Sequence, residues 1–288
     1  MFYNIIKLIR LHQAIKNLFI FMPLFFAGQL LNMQLLYIAL LAFVAFTCVA
    51  SAVYIFNDYQ DIEEDKLHPK KKFRPLALGS ISIKVALLVM AIMLLIGLGL
   101  MYSTSILALY ILLAYVVMNL AYSLVLKKIA IIDICIIAIG FVLRIFIGSV
   151  VTGVPLSMWI VVMTFLLALF IALAKRRDDV VIFEETGKQM REAIRGYNLK
   201  FLDAALVIIG AVTIVAYLLY TVSPEITARL ETNYLYISTL FVIMGLFRYL
   251  QITFVDKNSG SPIQLVLTDV FLQITIVLWL MFFSWVLY

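Results

Sequence analysis

The sequence predicts an all-α, polytopic membrane protein of about nine transmembrane helices around a polar cavity opening to the cytoplasm. Hydrophobic residues make up 65% of the 288 and charged residues only 13%, whereas a soluble domain carries roughly a quarter charged. The mean hydropathy is +1.12. Polar residues gather in short clusters between long apolar runs. Roughly 20 apolar residues cross a bilayer, so one membrane domain over 1–288 fits the length.

The apolar runs place spans at about 18–35, 36–56, 83–101, 104–125, 130–151, 157–174, 201–221, 234–252 and 264–287. Lys7, Arg10 and Lys16 precede the first run and no small-residue cleavage site follows it, which reads as a retained span rather than a signal peptide. With the N-terminus inside, 20 of the 22 Lys and Arg fall in cytoplasmic segments. That sets the orientation, because positive residues stay cytoplasmic. The chain is therefore expected in the cell (inner) membrane, with nine spans leaving Tyr288 outside. Cys48 and Cys135 lie within apolar runs and suit no disulfide framework. Nothing in this composition points to a nucleic acid; homo-oligomerisation is left open.

Ten of the 16 acids sit in two of the cytoplasmic segments, after the second and sixth spans. Acids contribute little to orientation, so these segments read as two halves of one polar site. In the first, Asn57, Asp58, Asp61 and Asp65 fall within about 100° of one helix face. Three carboxylates so placed repel one another unless a cation joins them. Mg²⁺ is commonly held by one or two carboxylates together with substrate phosphates, which makes a metal-bridged diphosphate the natural partner. Five cations follow within Lys66–Arg74, with His68-Pro69 between them, and these suit further phosphate oxygens. The competing reading is a solvated loop whose mixed charges pair with each other.

The second segment runs Lys175-Arg176-Arg177-Asp178-Asp179. Cations lead, so it would bind an anion directly or through one metal ligand at most. Arg191 and Arg195 are spaced i, i+4 with Tyr197 close behind, and they extend that surface or form a solvated connector. Tyr122-Ser123 with Lys127-Lys128 ends the fourth span on the same side. Asp133, Arg144 and Asp269 lie within spans, where each is either structural glue or cavity lining. Gly97 and Gly99 read as helix-packing positions.

The run N-D-x-x-D-x-x-x-D at 57–65, with H-P at 68–69 and R-P at 74–75, resembles the first signature of the UbiA superfamily of intramembrane prenyltransferases. Arg10, Gln13, Lys16 and Asn17 match its opening R-P-x-Q-W-x-K-N, and Tyr122-Ser123 with Leu126-Lys127 resembles its Y-S-x-x-L-K. The family's second D-x-x-x-D is absent. In its place Lys175-Arg176-Arg177-Asp178-Asp179 is similar to the K-R-x-x-E of the polyprenyl-phosphate (decaprenyl-phosphate) phosphoribosyltransferase branch, with Asp179 standing where that branch has Glu.

The resemblance implies a Mg²⁺-dependent transfer of 5-phosphoribose from 5-phosphoribosyl diphosphate to a membrane polyprenyl phosphate. Asp58, Asp61 and Asp65 would hold the metal. Substrate contacts would come from Lys16, Asn17, Asn57, Lys66, His68, Lys72, Arg74, Tyr122, Ser123, Lys127, Lys175, Arg176, Asp179, Arg191 and Tyr197. An ionised lipid phosphate needs no general base. An aromatic prenyltransferase consuming a polyprenyl diphosphate is the alternative within the family, and the missing second D-x-x-x-D argues against it. An ion-coupled transporter is the alternative from another class, disfavoured because the outer loops are nearly bare of charge.

Overall fold

The computed structural model describes residues 2–67, 71–187, 192–256 and 262–287. His68, Arg191 and Lys257 therefore lie outside the described residues. Every regular element among the described residues is helical: α1 (Phe2–Ile9), a 3-10 helix (Leu11–Phe21), α2 (Met22–Phe26), α3 (Met33–Gln60), α4 (Ile62–Leu67), α5 (Ile83–Thr104), α6 (Ile106–Leu124), α7 (Ile132–Thr152), α8 (Met158–Thr186), α9 (Leu199–Val222), α10 (Pro224–Leu230), α11 (Thr239–Phe254), α12 (Pro262–Thr268) and α13 (Val270–Leu287), with short 3-10 turns between some of them. Eight stretches among them are long and apolar enough to span a membrane, and the chain is an integral, multi-pass membrane protein.

Nine spans were expected, and the first is the difference. Residues 18–35 do not form one helix. The tight 3-10 helix gives way to α2, Gly28 turns the chain at φ +67°, and Asn32 starts α3 by accepting from the Gln34 and Leu35 amides. The last expected span, 264–287, is likewise broken at Asp269. Its carboxylate accepts from the Leu272 amide at 2.8 Å and from Arg248 at 2.7 Å, so the residue caps α13 rather than standing within a helix. Two helices run further than apolar content alone indicates: α3 reaches Gln60 and α8 reaches Thr186 before Gly187 ends it in the left-handed region. Both extensions carry the charged residues of interest.

The chain divides into two compact units, one of residues 1–127 and 140–156, the other of 128–139 and 157–288. In the first, a core of Ala42, Ala45, Phe46, Val49, Ala50 and Val53 on α3 packs against Met101, Ala108, Leu112 and Tyr115. Small residues let α3 and α5 approach closely: a β-carbon on Gly97 would lie 2.6 Å from the Ala45 carbonyl oxygen, whereas Gly99 faces open space. A β-carbon on Gly148 of α7 would fall far inside van der Waals contact of the Ile20 carbonyl. Backbone meets backbone there. Gly148→Ala is accordingly expected to cost about 1–3 kcal/mol by overpacking, seen as a lower melting temperature of the detergent-solubilised protein, while Gly99→Ala leaves it unchanged. In the second unit Phe170, Leu173, Ala174, Leu202, Leu206, Tyr249 and Ile252 form the main core.

Candidate functional site

In the first unit, α3 carries Asn57 and Asp58 in its last turns, and the helical register survives the break after Gln60. The Asp61 amide still donates to the Asn57 carbonyl at 3.0 Å, and the Asp65 amide to that of Asp61 at 2.8 Å. Asn57 and the three carboxylates thus keep their common side, as the spacing predicts. All three carboxylates are buried, with Asp58 2%, Asp61 9% and Asp65 1% exposed. Charge that deep demands partners.

Four cations supply them. Arg10 pairs with Asp58. Arg74 Nη1 bridges Asp58 at 3.0 Å and Asp65 at 2.6 Å, and Lys71 Nζ lies 3.9 Å from Asp65. Lys127, three residues beyond the end of α6, donates to Asp61 at 2.5 Å, and Asn57 Nδ2 donates to the other Asp61 oxygen at 3.1 Å. The Tyr122-to-Lys127 motif is thereby tied to the acidic helix, with Ser123 buried and Tyr122 partly so. Asp65 Oδ1, the oxygen that Lys71 faces at 3.9 Å, is buried and makes no hydrogen bond. Burial pushes the Asp65 carboxyl above the usual range, and the charge and hydrogen bond of Arg74 oppose that shift.

Not every expected residue joins this set. Lys66 is exposed and pairs with exposed Glu63 at 2.7 Å. Lys72 is exposed, its ammonium 5.2 Å from the Phe73 ring centre. Among the described residues no three His, Cys, Asp or Glu groups converge on one point; the carboxylates face cations instead. Three buried carboxylates on one side, one with an unsatisfied oxygen, nevertheless form the hard oxygen donor set that suits Mg²⁺.

Lys16 and Asn17 stand on the 3-10 helix of the same unit. Asn17 Nδ2 donates to Thr47 Oγ1, and its carbonyl oxygen accepts from Arg144 Nε, both at 2.9 Å. Arg10 and Arg144 both lie close enough to Lys16 to repel it.

In the second unit, α8 continues straight through the charged run. Arg176, expected to receive a phosphate, is instead 1% exposed and committed within the protein. Its Nε donates to Asp133 at 2.5 Å and its Nη1 to Asp179 at 3.1 Å. Asp133, fully buried, accepts in addition from the Tyr197 hydroxyl at 2.6 Å. That hydroxyl itself accepts from the Ile131 amide, also at 2.6 Å. Its burial and its bond to Asp133 push the Tyr197 phenol well above its ordinary pKa. Ile131 has φ +71°, a conformation that a β-branched residue adopts only under constraint. Tyr197 and Arg176 therefore hold the segment between α6 and α7 in place, and neither offers an unengaged polar group to a ligand. Arg177 is similarly engaged, with Asp203 at 2.6 Å and the Thr253 carbonyl at 2.9 Å. Lys175 is partly buried. A pocket of about 500 Å³ lined by Lys128, Ile129, Ala130, Arg195 and Gly196 carries the cations this unit turns outward.

Arg10, Lys71, Asp133 and Arg144 complete these networks; none was given an individual substrate or metal role from the sequence, although Lys71 belongs to the cationic run at 66–74. Arg10 stands in the matched opening motif, and Asp133 and Arg144 are charges inside apolar runs, which by itself demands a partner.

Three decaprenyl-phosphate phosphoribosyltransferases are similar along nearly the whole chain. Those of Corynebacterium glutamicum and Mycolicibacterium smegmatis are each 28% identical, over 96% of this chain and 84% and 90% of their own. That of Mycobacterium tuberculosis is 29% identical, over 96% of this chain and 92% of its own. Among solved structures, a UbiA homologue from Archaeoglobus fulgidus bound to GPP and Mg²⁺ superposes with a TM-score of 0.71 at 17% identity, covering 99% of both chains. A digeranylgeranylglyceryl phosphate synthase does so with 0.65 at 22%, covering 99% of this chain and 98% of its own. The fold is theirs. Residues 18–274 match the UbiA prenyltransferase family, running from the 3-10 helix through the acidic helix end and α8 into α13. The chain belongs to that family.

Proposed function

We propose that this protein moves 5-phosphoribose from 5-phosphoribosyl diphosphate to a polyprenyl phosphate, giving polyprenyl-phosphoryl-5-phosphoribose and diphosphate. The observation that carries this reading is the inequality of the two acidic segments. The first keeps three buried carboxylates on one side. The second has Ile182 and Phe183 four residues after Asp178 and Asp179, so it lacks the further carboxylate that a second D-x-x-x-D cluster needs. One metal-diphosphate group fits such a protein better than the two clusters implied by two D-x-x-x-D motifs. The phosphoribosyltransferase names of the near full-length relatives support the same choice.

Asp58, Asp61 and Asp65 are the residues that would hold Mg²⁺. The metal supplies charge neutralisation for the departing diphosphate as the anomeric C–O bond breaks. Arg10, Lys71, Arg74 and Lys127 now neutralise those carboxylates. With a metal held by the carboxylates, these same cations would be available to phosphate oxygens. An oxygen of the ionised lipid phosphate attacks the anomeric carbon with no proton to remove.

The match over 18–274 spans both compact units, which supports treating 1–288 as one transmembrane domain. The charge distribution supports a cytoplasmic N-terminus and a cytoplasmic opening. The test is a membrane assay offering ribose-labelled 5-phosphoribosyl diphosphate with polyprenyl phosphate and, separately, a polyprenyl diphosphate with an aromatic acceptor. Label entering the lipid fraction in the first assay, and lost with EDTA, is the expected result. Consumption of the polyprenyl diphosphate alone would move the assignment to an aromatic prenyltransferase.

A further inference from the structure

Arg144 lies twelve residues inside the spanning helix α7 and is 4% exposed. No carboxylate among the described residues lies within ion-pair distance of it. Its Nε donates to Asn17 at 2.9 Å and its Nη1 to the Gly140 carbonyl at 2.6 Å. The guanidinium carbon sits over three rings, 4.6 Å from the centre of Phe46 and 5.2 Å from those of Tyr115 and Phe141. Every one of these partners is neutral. Lys16 precedes Asn17 in the chain and lies close enough to Arg144 and Arg10 to be repelled by both. Lys16 makes no hydrogen bond or ion pair among the described residues, whereas Arg10 is spent on Asp58.

Two cations brought together in a spanning region without an anion are costly, and they persist where a ligand supplies the charge. A guanidinium held in plane by an amide and a carbonyl presents its remaining edge as a fork, the shape that recognises a phosphate. The aromatic walls add apolar surface suited to the carbons next to it.

We propose that Lys16 and Arg144 form a receptor for a phosphate monoester, and that its occupant is the phosphate of the polyprenyl acceptor. The assignment of the acceptor rests on the proposed function; the receptor itself does not. The shared chemistry also admits the 5-phosphate of the ribosyl donor. The lipid is preferred because the Arg144 guanidinium lies against three aromatic rings within a spanning helix.

The experiment is equilibrium binding to the purified protein, without donor or Mg²⁺, of farnesyl phosphate and of farnesol, with ribose 5-phosphate as competitor. Wild type is expected to bind the phosphate at least tenfold more tightly than the alcohol. Arg144→Gln should collapse that ratio and Arg144→Lys recover part of it. Lys16→Gln, which removes no contact seen here, should lower the ratio without lowering the melting temperature. Equal affinity for phosphate and alcohol in wild type, or an unchanged ratio in both Gln variants, would reduce Arg144 to a structural anchor. Displacement of farnesyl phosphate by ribose 5-phosphate, itself dependent on Arg144, would overturn the lipid assignment in favour of the donor. Binding is scored whether or not the enzyme transfers ribose, so failure of the receptor and failure of the proposed reaction are separately visible.

Discussion

Asp61→Ala should lower phosphoribosyl transfer by at least about a hundredfold, the scale expected when the charge set that stabilises a leaving group is broken. Asp61 is the carboxylate that ties Lys127 and Asn57 to the acidic helix, so under the proposed function its loss would remove a metal ligand and misplace a cation meant for phosphate together. Removing Lys127 alone separates the two effects. Lys127→Met should raise the KM for 5-phosphoribosyl diphosphate with a smaller fall in kcat, because the carboxylates remain. If Asp61→Ala retained activity within a few-fold of wild type, the metal site would have to lie elsewhere.

The second large effect is on stability. Asp133 is fully buried between Arg176 and Tyr197. Asp133→Ala leaves a buried guanidinium short of its main anion and a phenol short of its acceptor, a loss expected to cost about 3–5 kcal/mol. Replacing both charges by apolar groups in Asp133→Leu/Arg176→Met should recover most of that, since removing a buried pair entirely costs far less than breaking it. Thermal unfolding in detergent of the single and double variants checks this. Full additivity of the two single losses would show that Asp133 and Arg176 act independently.

The residues that folded as read are those whose signal is local. Asn57, Asp58, Asp61 and Asp65 share a side because 3.6-residue periodicity dictates it, even across the break after Gln60. Asn32, Ser82, Ser105, Ser157 and Asn198 cap helices in the structure, a local signal that hydropathy alone does not use. Apolar content located the spans but not the state of 18–35, because hydropathy registers composition and is blind to the 3-10 turns and the Gly28 reversal. Asp269 looked like a charge inside a span for the same reason; its capping bond is made by geometry.

Partner choice was the illegible part. Arg10 finds Asp58 across 48 residues, Lys127 finds Asp61 across 66, and Asn17 finds Arg144 across 127. No periodicity encodes such distances. The cationic run at 175–179 shows the consequence. Its composition suggested an anion site, yet Arg176 and Arg177 are consumed by Asp133, Asp179 and Asp203. Arg144, read as either glue or cavity lining, is left without an anion among the described residues, as is Lys16.

One measurement tests the central claim most directly: the fate of both ends of a doubly labelled 5-phosphoribosyl diphosphate, carrying one isotope in the ribose and another in the diphosphate, incubated with membranes, Mg²⁺ and polyprenyl phosphate. Phosphoribosyl transfer puts ribose label in the lipid and diphosphate label in water, in equal amounts. Both labels in the lipid, or neither while the donor stays intact, would contradict it.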